Sequence, residues 1–590
     1  MFLNRPLAHS DLESARGVLD KIKHRGPDKE GEWYDIEKGV YLGHRRLSII
    51  DTSSLSDQPM FKDGQAFIFN GELYNFRELR TLLKNKGYNF QSSGDGEVFF
   101  NGLSHYGAKF FDRVDSMFAL AYWDGSQALL AVDAFGEKPL FYAQTRDGVF
   151  VCSEITPLAQ LLNLSPEENS TRYTSFLSLG FLPQPDTFFS EIKSLPAGTY
   201  ITVQQGKCQF LQHHWTLPET PQFGGKPKPI SVSQLDNLLD HLITSLSRRL
   251  ITDVPLTLFL SSGIDSSLVA ALCKHELHED LHCLTVEFNA KDQMKNEAPL
   301  ASKIAKNLSF EHEIIKFDNA VEPDIDKLID LTGQPSGMVG TLSFELVSQI
   351  AANQGFKVAL TGLGGDEITA GYGKNNFYWN KRYIFESPGI IRTPLGILLK
   401  FFGEKGRNFS TFFSSEVKET YLAIKNYPTL DWLRKLPNYN DWVASEFNTF
   451  DDVSVDMPRY ELIKAMPAMH LLNSDHSSMK HSLELRTPFL NKDISELISQ
   501  WDQRSLFAFG QKSVLRNILG RYLPDELMLK EKTGFSYPRH KLLSDEKSPE
   551  LPCLDSQELE YLWSKRFSNI GWSVIATRLK VLETYINRYH

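Results

Sequence analysis

Cysteine is scarce in this chain: five in 590 residues (Cys152, Cys208, Cys273, Cys283, Cys553), far apart and with no Cys-x-x-Cys pair. That excludes a disulfide frame and a cysteine zinc site, and fits the reduced thiols of a cytoplasmic protein. No block of Lys or Arg stands out, and the formal charge of −10 is spread thinly over the whole length. Neither nucleic acid nor an anionic membrane is therefore expected as a partner. Long hydrophobic runs are missing too. The most apolar late stretch, "GIIRTPLGILLKFF" at 389–402, carries Arg392 and Lys400 and is too short to span a bilayer. The N-terminus is not a charged segment followed by an apolar core, so a soluble protein is expected. There is also no Gly-Lys-Ser/Thr signature, which excludes an ordinary Walker-type phosphate loop.

What is present divides into two textures, and the length is a prior for more than one domain. Short β-type runs punctuated by Gly and Asp fill residues 40–155: "LSIID", "AFIFN", "FALAYWD", "ALLAVDAF", then "LFYAQT" and "VFVCSE" around a hairpin turn "RDG". Two helices interrupt them, 75–86, with Asn75 and Glu78 at capping-box spacing, and 97–106, closed by Gly107. This half reads as an α+β sandwich over residues 1–210. Residues 211–232 read as a linker, because 218–232 are rich in Pro and Gly. Over 233–590 the pattern changes to a helical stripe (Leu235, Leu238, Leu242, Leu246) followed by buried strands "LTLFL", "HCLTVEF" and "FKVAL" with helical patterns between them. Strand and helix in alternation predict a parallel α/β sheet.

Within it, "LFLSSGIDSS" (258–267) joins the end of a strand to the start of a helix. Such a junction presents backbone N–H groups and a positive helix end, to which the serines add hydroxyl donors; the alternative is a serine-capped helix with Asp265 on its first turn. A second loop, in "FKVALTGLGGDEITAGY", repeats the order of strand, small residues, acid and helix. Loops at the carboxyl ends of a doubly wound sheet converge on one crevice. Asp265 and Asp366 are expected to face it together, and two carboxylates beside phosphate are what Mg²⁺ takes. ATP and Mg²⁺ are thus the expected cofactors.

At this point the motifs resemble the asparagine synthetase family. "SSGIDSS" is similar to its pyrophosphate loop, and "LTGLGGDEITAGY", "SSMKHSLELRTPFLN" (477–491) and "LPDELMLKEKTGFSYP" (523–538) to its later synthetase motifs. "HRGPD" (24–28), "GHRRLSIID" (43–51), "FNGELYN" (69–75), "SGDGEV" (93–98) and "FGEKPLFY" (135–142) resemble its glutaminase half. The resemblance implies an Ntn-hydrolase-like αββα sandwich followed by a PP-loop domain with helical additions. It implies a carbon–nitrogen ligase that makes an acyl-adenylate and pyrophosphate from ATP and a carboxylate, aspartate in the namesake enzymes, and then transfers the acyl group to nitrogen from glutamine or ammonia, releasing AMP. By motif, Leu260, Ser261, Gly263, Asp265, Ser266, Val286, Thr361 and Gly362 would hold ATP and pyrophosphate, Asp265 and Asp366 the magnesium, and Lys532 would neutralise phosphate charge. Arg46, Leu47, Ser48, Ile49, Ile50, Asn70, Gly71, Glu72 and Asp95 would hold glutamine, with Asn70 and Gly71 as the oxyanion hole. Partners would be small molecules, and family members are often homodimers.

Four positions depart from the family. Its glutaminase nucleophile, a cysteine right after the initiator methionine, is here Phe2, and Cys152 in "VCSEI" is a poor substitute. "MFLNRP" is similar to the tail of the family's first strand. A full set of glutamine contacts favours a start that has lost a few residues over a dead glutaminase. Leu363 stands where an acid is usual and cannot be a general base; either the acceptor differs, or Leu363 packs and Glu367 or a water serves. Ser262 replaces a glycine, which matters only if that backbone needs φ > 0. Asn491 replaces an Asp. The chain as written is predicted to form product from ammonia and none from glutamine; glutamine-dependent turnover in the same assay would refute the reading of Phe2.

Overall fold

The computed structural model describes residues 1–288, 296–317, 324–414, 417–528, 539–544, 547–551 and 554–589. Its first sheet is antiparallel and runs Ile192–Ser194, Phe141–Gln144, Gly148–Cys152, Phe2–Leu3, Val40–Arg46, Lys29–Asp35 in space. A second antiparallel sheet runs Lys207–Cys208, Thr199–Gln204, Ala128–Val132, Ser116–Trp123, Gln65–Leu73, Met60–Lys62, and Gln212–His213 also pairs with Thr199–Gln204. The two sheets face each other across one core, where Phe2, Val40 and Leu42 of the first meet Ala121, Trp123 and Leu130 of the second. Helices close the outer faces. His9–Lys21 and Ile155–Leu161 pack on the first sheet, and Phe76–Lys84 and Gly96–Tyr106 on the second. The expected αββα sandwich is therefore formed. Because both faces of Ser116–Trp123 are covered, its residues are buried almost without alternation.

Two local expectations fail for identifiable reasons. "LSIID" is not a strand; the strand ends at Arg46, and 47–51 form a loop whose Ser48 N–H donates to Asp28 (2.7 Å) and whose Asp51 N–H donates to Asp253 (2.8 Å). Nor does Asn75 make a capping box. Its side chain instead bridges the 113–115 segment, donating to the Arg113 carbonyl (2.8 Å) and accepting from Asp115 N–H (3.0 Å).

The third sheet is parallel throughout: Glu311–Phe317, His282–Phe288, Leu256–Phe259, Val358–Leu360, Glu484–Arg486. Helices Val232–Arg249, Ile264–His275, Ala298–Asn307 and Thr341–Asn353 alternate with its strands, and the stripe Leu235, Leu238, Leu242 and Leu246 is buried as its spacing requires. Residues 373–479 add a helical layer. The four described cysteines are unbridged, and no described helix is long and apolar enough to cross a membrane.

The sandwich and the parallel-sheet half are joined by buried charge. Asp475 accepts from Arg25 Nη2 (2.7 Å) and Lys138 Nζ (3.3 Å), all three almost fully buried. Ser482 Oγ donates to the His24 carbonyl at 2.6 Å. Burial pushes the Asp475 carboxyl up, and the two cations more than offset this, holding it below the usual range. Truncating one member of such a cluster leaves its partners charged and unpaired. Asp475→Ala is thus expected to cost about 3–5 kcal/mol, read as a fall in thermal unfolding temperature. Because the native carboxyl is depressed, this stabilisation is present above the unfolded carboxylate pKa and is lost as pH falls through the native one; the gap between wild type and Asp475→Ala should close in acid.

Candidate functional site

The strand-to-helix junction forms where the pattern places it. Leu256–Phe259 ends, residues 260–263 turn, and the helix Ile264–His275 begins with Gly263 as its N-cap and Asp265 in its first turn. Ser266 Oγ accepts from the Ser261 N–H (3.1 Å) and lies 2.9 Å from Ser261 Oγ, which accepts from the Gly263 N–H (3.0 Å). The hydroxyls thus brace the loop from within. Ser262 is buried and is not among the residues of positive φ. Its backbone does not need glycine, and the doubt attached to that replacement falls away.

The second loop leaves the neighbouring parallel strand, Val358–Leu360. It passes so close to the first that a Cβ on Gly362 would lie 2.7 Å from Ser266 N, and one on Gly365 would lie 2.7 Å from Asp265 Cγ. Only hydrogen fits at these two positions. The approach brings Asp265 and Asp366 to one cation, the Lys512 ammonium, which pairs with Asp265 and lies 2.9 Å from Asp366 Oδ1. Burial lowers the Lys512 pKa and the two carboxylates more than offset it, leaving it raised. Leu260, Val286, Thr361 and Gly362 stand at or near the carboxyl ends of three adjacent strands. Lys532 lies outside the described residues.

The donor set suits magnesium. It is two carboxylates from the first turns of two helices, already facing a positive charge. An ion there would complete its shell with phosphate oxygens and water.

Leu363 is half-buried and packs against the two apolar cores of this half, so it is a packing residue. Glu367 is buried and accepts from the Tyr372 hydroxyl, with His470 Nε2 3.9 Å away. Asn491 caps Lys492–Ser499, accepting from Ile494 N–H at 3.2 Å. Asn and Asp are equivalent in that role.

In the sandwich half, Arg46, Leu47, Ile49, Ile50, Asn70, Gly71, Glu72 and Asp95 line one cavity; Ser48 is not part of that lining, and its backbone N–H donates to Asp28. Gly71 has φ +145°, and a Cβ there would lie 2.0 Å from the Met117 carbonyl oxygen. Asn70 Nδ2 is buried with no hydrogen-bond partner, a donor presented to the cavity. Asp95 accepts from Leu73 N–H (2.8 Å), and burial pushes its carboxyl up to about 6. Burial, with Glu484 and Asp95 nearby, also raises Glu72 well above the carboxylate range, against the pull of Arg486. Arg46 donates to the Ser53 and Asp51 carbonyls and to Asp57 (2.9 Å). Phe2 sits in the intersheet core. Cys152 lines the cavity, but burial pushes its thiol up to about 11, away from the thiolate form that a nucleophilic cysteine uses.

With both sites described, the comparisons with known proteins can be set beside them. Residues 5–216 match the glutamine amidotransferase domain model and residues 237–569 the asparagine synthase model. The chain belongs to the asparagine synthase family. Family membership makes it a carbon–nitrogen ligase, an ATP-dependent amide-forming enzyme carrying a glutamine amidotransferase domain. It is similar to Bacillus subtilis (strain 168) asparagine synthetase (glutamine-hydrolyzing) 1, 27% identical over 92% of this chain and 87% of the relative. The same organism's asparagine synthetase (glutamine-hydrolyzing) 3 is 26% identical over 92% and 87%. A Gibberella zeae protein named amidase chry2 is 25% identical over 90% and 85%.

Three residues of this asparagine synthase chain escape a reading by motif alone: Lys512, Glu484 and Arg486. Lys512 occupies the left-handed N-cap (φ +56°) of Ser513–Leu519, a lone lysine that no spacing marks. Glu484 and Arg486 lie inside a quoted motif but reach the other half, Arg486 Nη2 standing 3.1 Å from Glu72. If Lys512 is the cation between the two acids, Lys512→Met should lower ATP–pyrophosphate exchange by about 100-fold or more. Magnesium alone should then raise the variant's unfolding temperature more than it raises that of wild type; equal responses would show the lysine is not competing for that position.

Proposed function

We propose that this enzyme joins a carboxylate, aspartate foremost, to ammonia. A carboxylate oxygen attacks the α-phosphorus of ATP, the bond to the bridging oxygen of the β-phosphate breaks, and pyrophosphate leaves. Ammonia then attacks the acyl carbon of the adenylate and loses a proton, and AMP departs with the electron pair of the acyl C–O bond. The observation that carries this reading is the meeting of Asp265, Asp366 and Lys512 at the carboxyl ends of two adjacent parallel strands. In such transfers the protein mainly positions groups and balances charge. Ser261, Gly263 and Ser266 would hold pyrophosphate, while Leu260, Val286, Thr361 and Gly362 would wall the nucleotide. Lys512, with Lys532, would meet the negative charge. Magnesium held by Asp265 and Asp366 would supply further neutralisation of the phosphates.

Glutamine as nitrogen donor would use the other cavity. Asn70 Nδ2, buried without a partner, and the Gly71 N–H would receive the oxyanion, and Glu72 and Asp95 the α-ammonium. Arg46 would take the α-carboxylate in exchange for Asp57, the carboxylate it holds now. These roles divide between residues 1–210 and 233–590, with 211–232 as the joint. A second reading keeps the activation step and changes the acyl group or its acceptor. It is favoured by Leu363, which packs where a base would act, and by the amidase name of one relative.

The test is exchange of labelled pyrophosphate into ATP with candidate carboxylates, aspartate first. Exchange should depend on the acid and on magnesium, and Asp366→Ala should abolish it while leaving the fold intact by circular dichroism. No exchange with any acid would sink the adenylation mechanism. Exchange with an acid other than aspartate would select the second reading.

A further inference from the structure

The helix Gly389–Leu399, within the apolar stretch noted in the sequence, is oriented the wrong way for a soluble protein. Its inward face is small. Gly396 lies so near the following helix, Gly403–Ser414, that a Cβ there would stand 2.8 Å from Phe413 Cβ. The half-buried Arg392 turns back to donate to the Phe385 carbonyl at 2.7 Å. The large apolar side chains point out. Ile390 is 85% and Phe401 81% exposed, and Ile391, Ile397, Leu398 and Phe402 are exposed beside them. None of these six belongs to an apolar core of the described residues. Together they expose several hundred Å² of apolar surface on one convex hairpin, more than a protein in water alone would leave uncovered.

The charge around this face is as one-sided as its apolarity. Residues 373–407 hold Lys374, Lys381, Arg382, Arg392, Lys400, Lys405 and Arg407 against two acids, Glu386 and Glu404, in a chain whose formal charge is −10. Lys374 is half-buried and pairs with Glu461, while Lys381, Lys400 and Arg407 are exposed. Tyr383, 71% exposed, adds an amphipathic ring of the kind that settles at the headgroup level. A like copy pressed against this face would set these cations against one another. An anionic lipid surface instead takes the apolar residues into its acyl boundary and pairs the cations with headgroups. We propose that 389–402 is an interfacial anchor that seats the enzyme on an anionic lipid surface. The average charge of the chain conceals this local patch.

The test is flotation of the full chain with vesicles of phosphatidylcholine, with and without phosphatidylglycerol. Wild type should partition onto the anionic vesicles, less onto neutral ones, and less still in raised salt. The double variant Ile390→Ser/Phe401→Ser changes only exposed positions and should lose about ten-fold or more of that partition while keeping its pyrophosphate exchange and circular dichroism. Lys400→Glu should weaken binding to anionic vesicles only. No partition of wild type onto either vesicle, or equal partition of the double variant, would overturn the proposal. So would a wild-type dimer by analytical ultracentrifugation that the double variant converts to monomer without any vesicle binding.

Discussion

Arg486 has no solvent exposure, and its position ties the two halves of the molecule together. It ends the edge strand of the parallel sheet, donates to Glu484 (2.9 Å) and to the Arg249 and Ile251 carbonyls (2.9 and 2.7 Å), and pairs with Glu72 of the sandwich (3.1 Å). Its hydrogen bonds all stay within its own half, and its Nη2 makes none. The charge on that side is met across the joint by Glu72 alone among the described ion pairs, so separating the halves would leave it uncompensated in a buried place. Glu484 and Met479, from the synthetase half, also line the cavity that contains Asn70 and Asp95. The wall of one site is thus made by the half that carries the other, and Asp475, with Arg25 and Lys138, holds a second point of the same joint.

The synthetase site follows a different rule, close approach of backbone. Gly362 and Gly365 leave no room for a Cβ between the two strand-end loops. That contact, rather than a chelating cluster, is what brings Asp265 and Asp366 together. With both acids desolvated, some cation must stand between them, and in this structure it is Lys512. A cation already seated there means that magnesium phosphate would enter by exchange of positive charge, not by filling a bare acidic hole.

Much of this was legible in the sequence, and what was not has physical causes. The buried stripe of 232–249 and the strands 256–259 and 282–288 declare themselves through apolar period and length. Asp265 and Asp366 could be placed in one crevice because parallel strands must deliver their loops to the same edge. Residues 47–51 misled, since an apolar run can serve a loop when its backbone N–H groups find carboxylates, as Ser48 and Asp51 do on Asp28 and Asp253. Asn75 misled likewise, because a tertiary partner outbid the local cap. Lys512, Glu484 and Arg486 could not be read at all. Their roles arise from groups well over a hundred residues away, and a lone lysine or arginine carries no spacing that announces a distant partner.

Leu363 shows how far the local geometry divides the chemistry. The loop that bears it has a demanding shape, with Gly364 at φ +90° and a Cβ there set to strike Leu490 at 2.7 Å, and Leu363 fills the apolar space this shape leaves between two cores. An acid at this half-buried position would set a charge against two apolar cores, which is unfavourable unless it is paired or hydrated. Asp366, three residues on, is held by Lys512 and is unaffected by that choice. Asp366 therefore answers to the charge beside it, whereas position 363 answers to the apolar space around it. One acid of the pair is thus held by charge and Leu363 by packing, two constraints that neighbour each other in one loop without depending on each other.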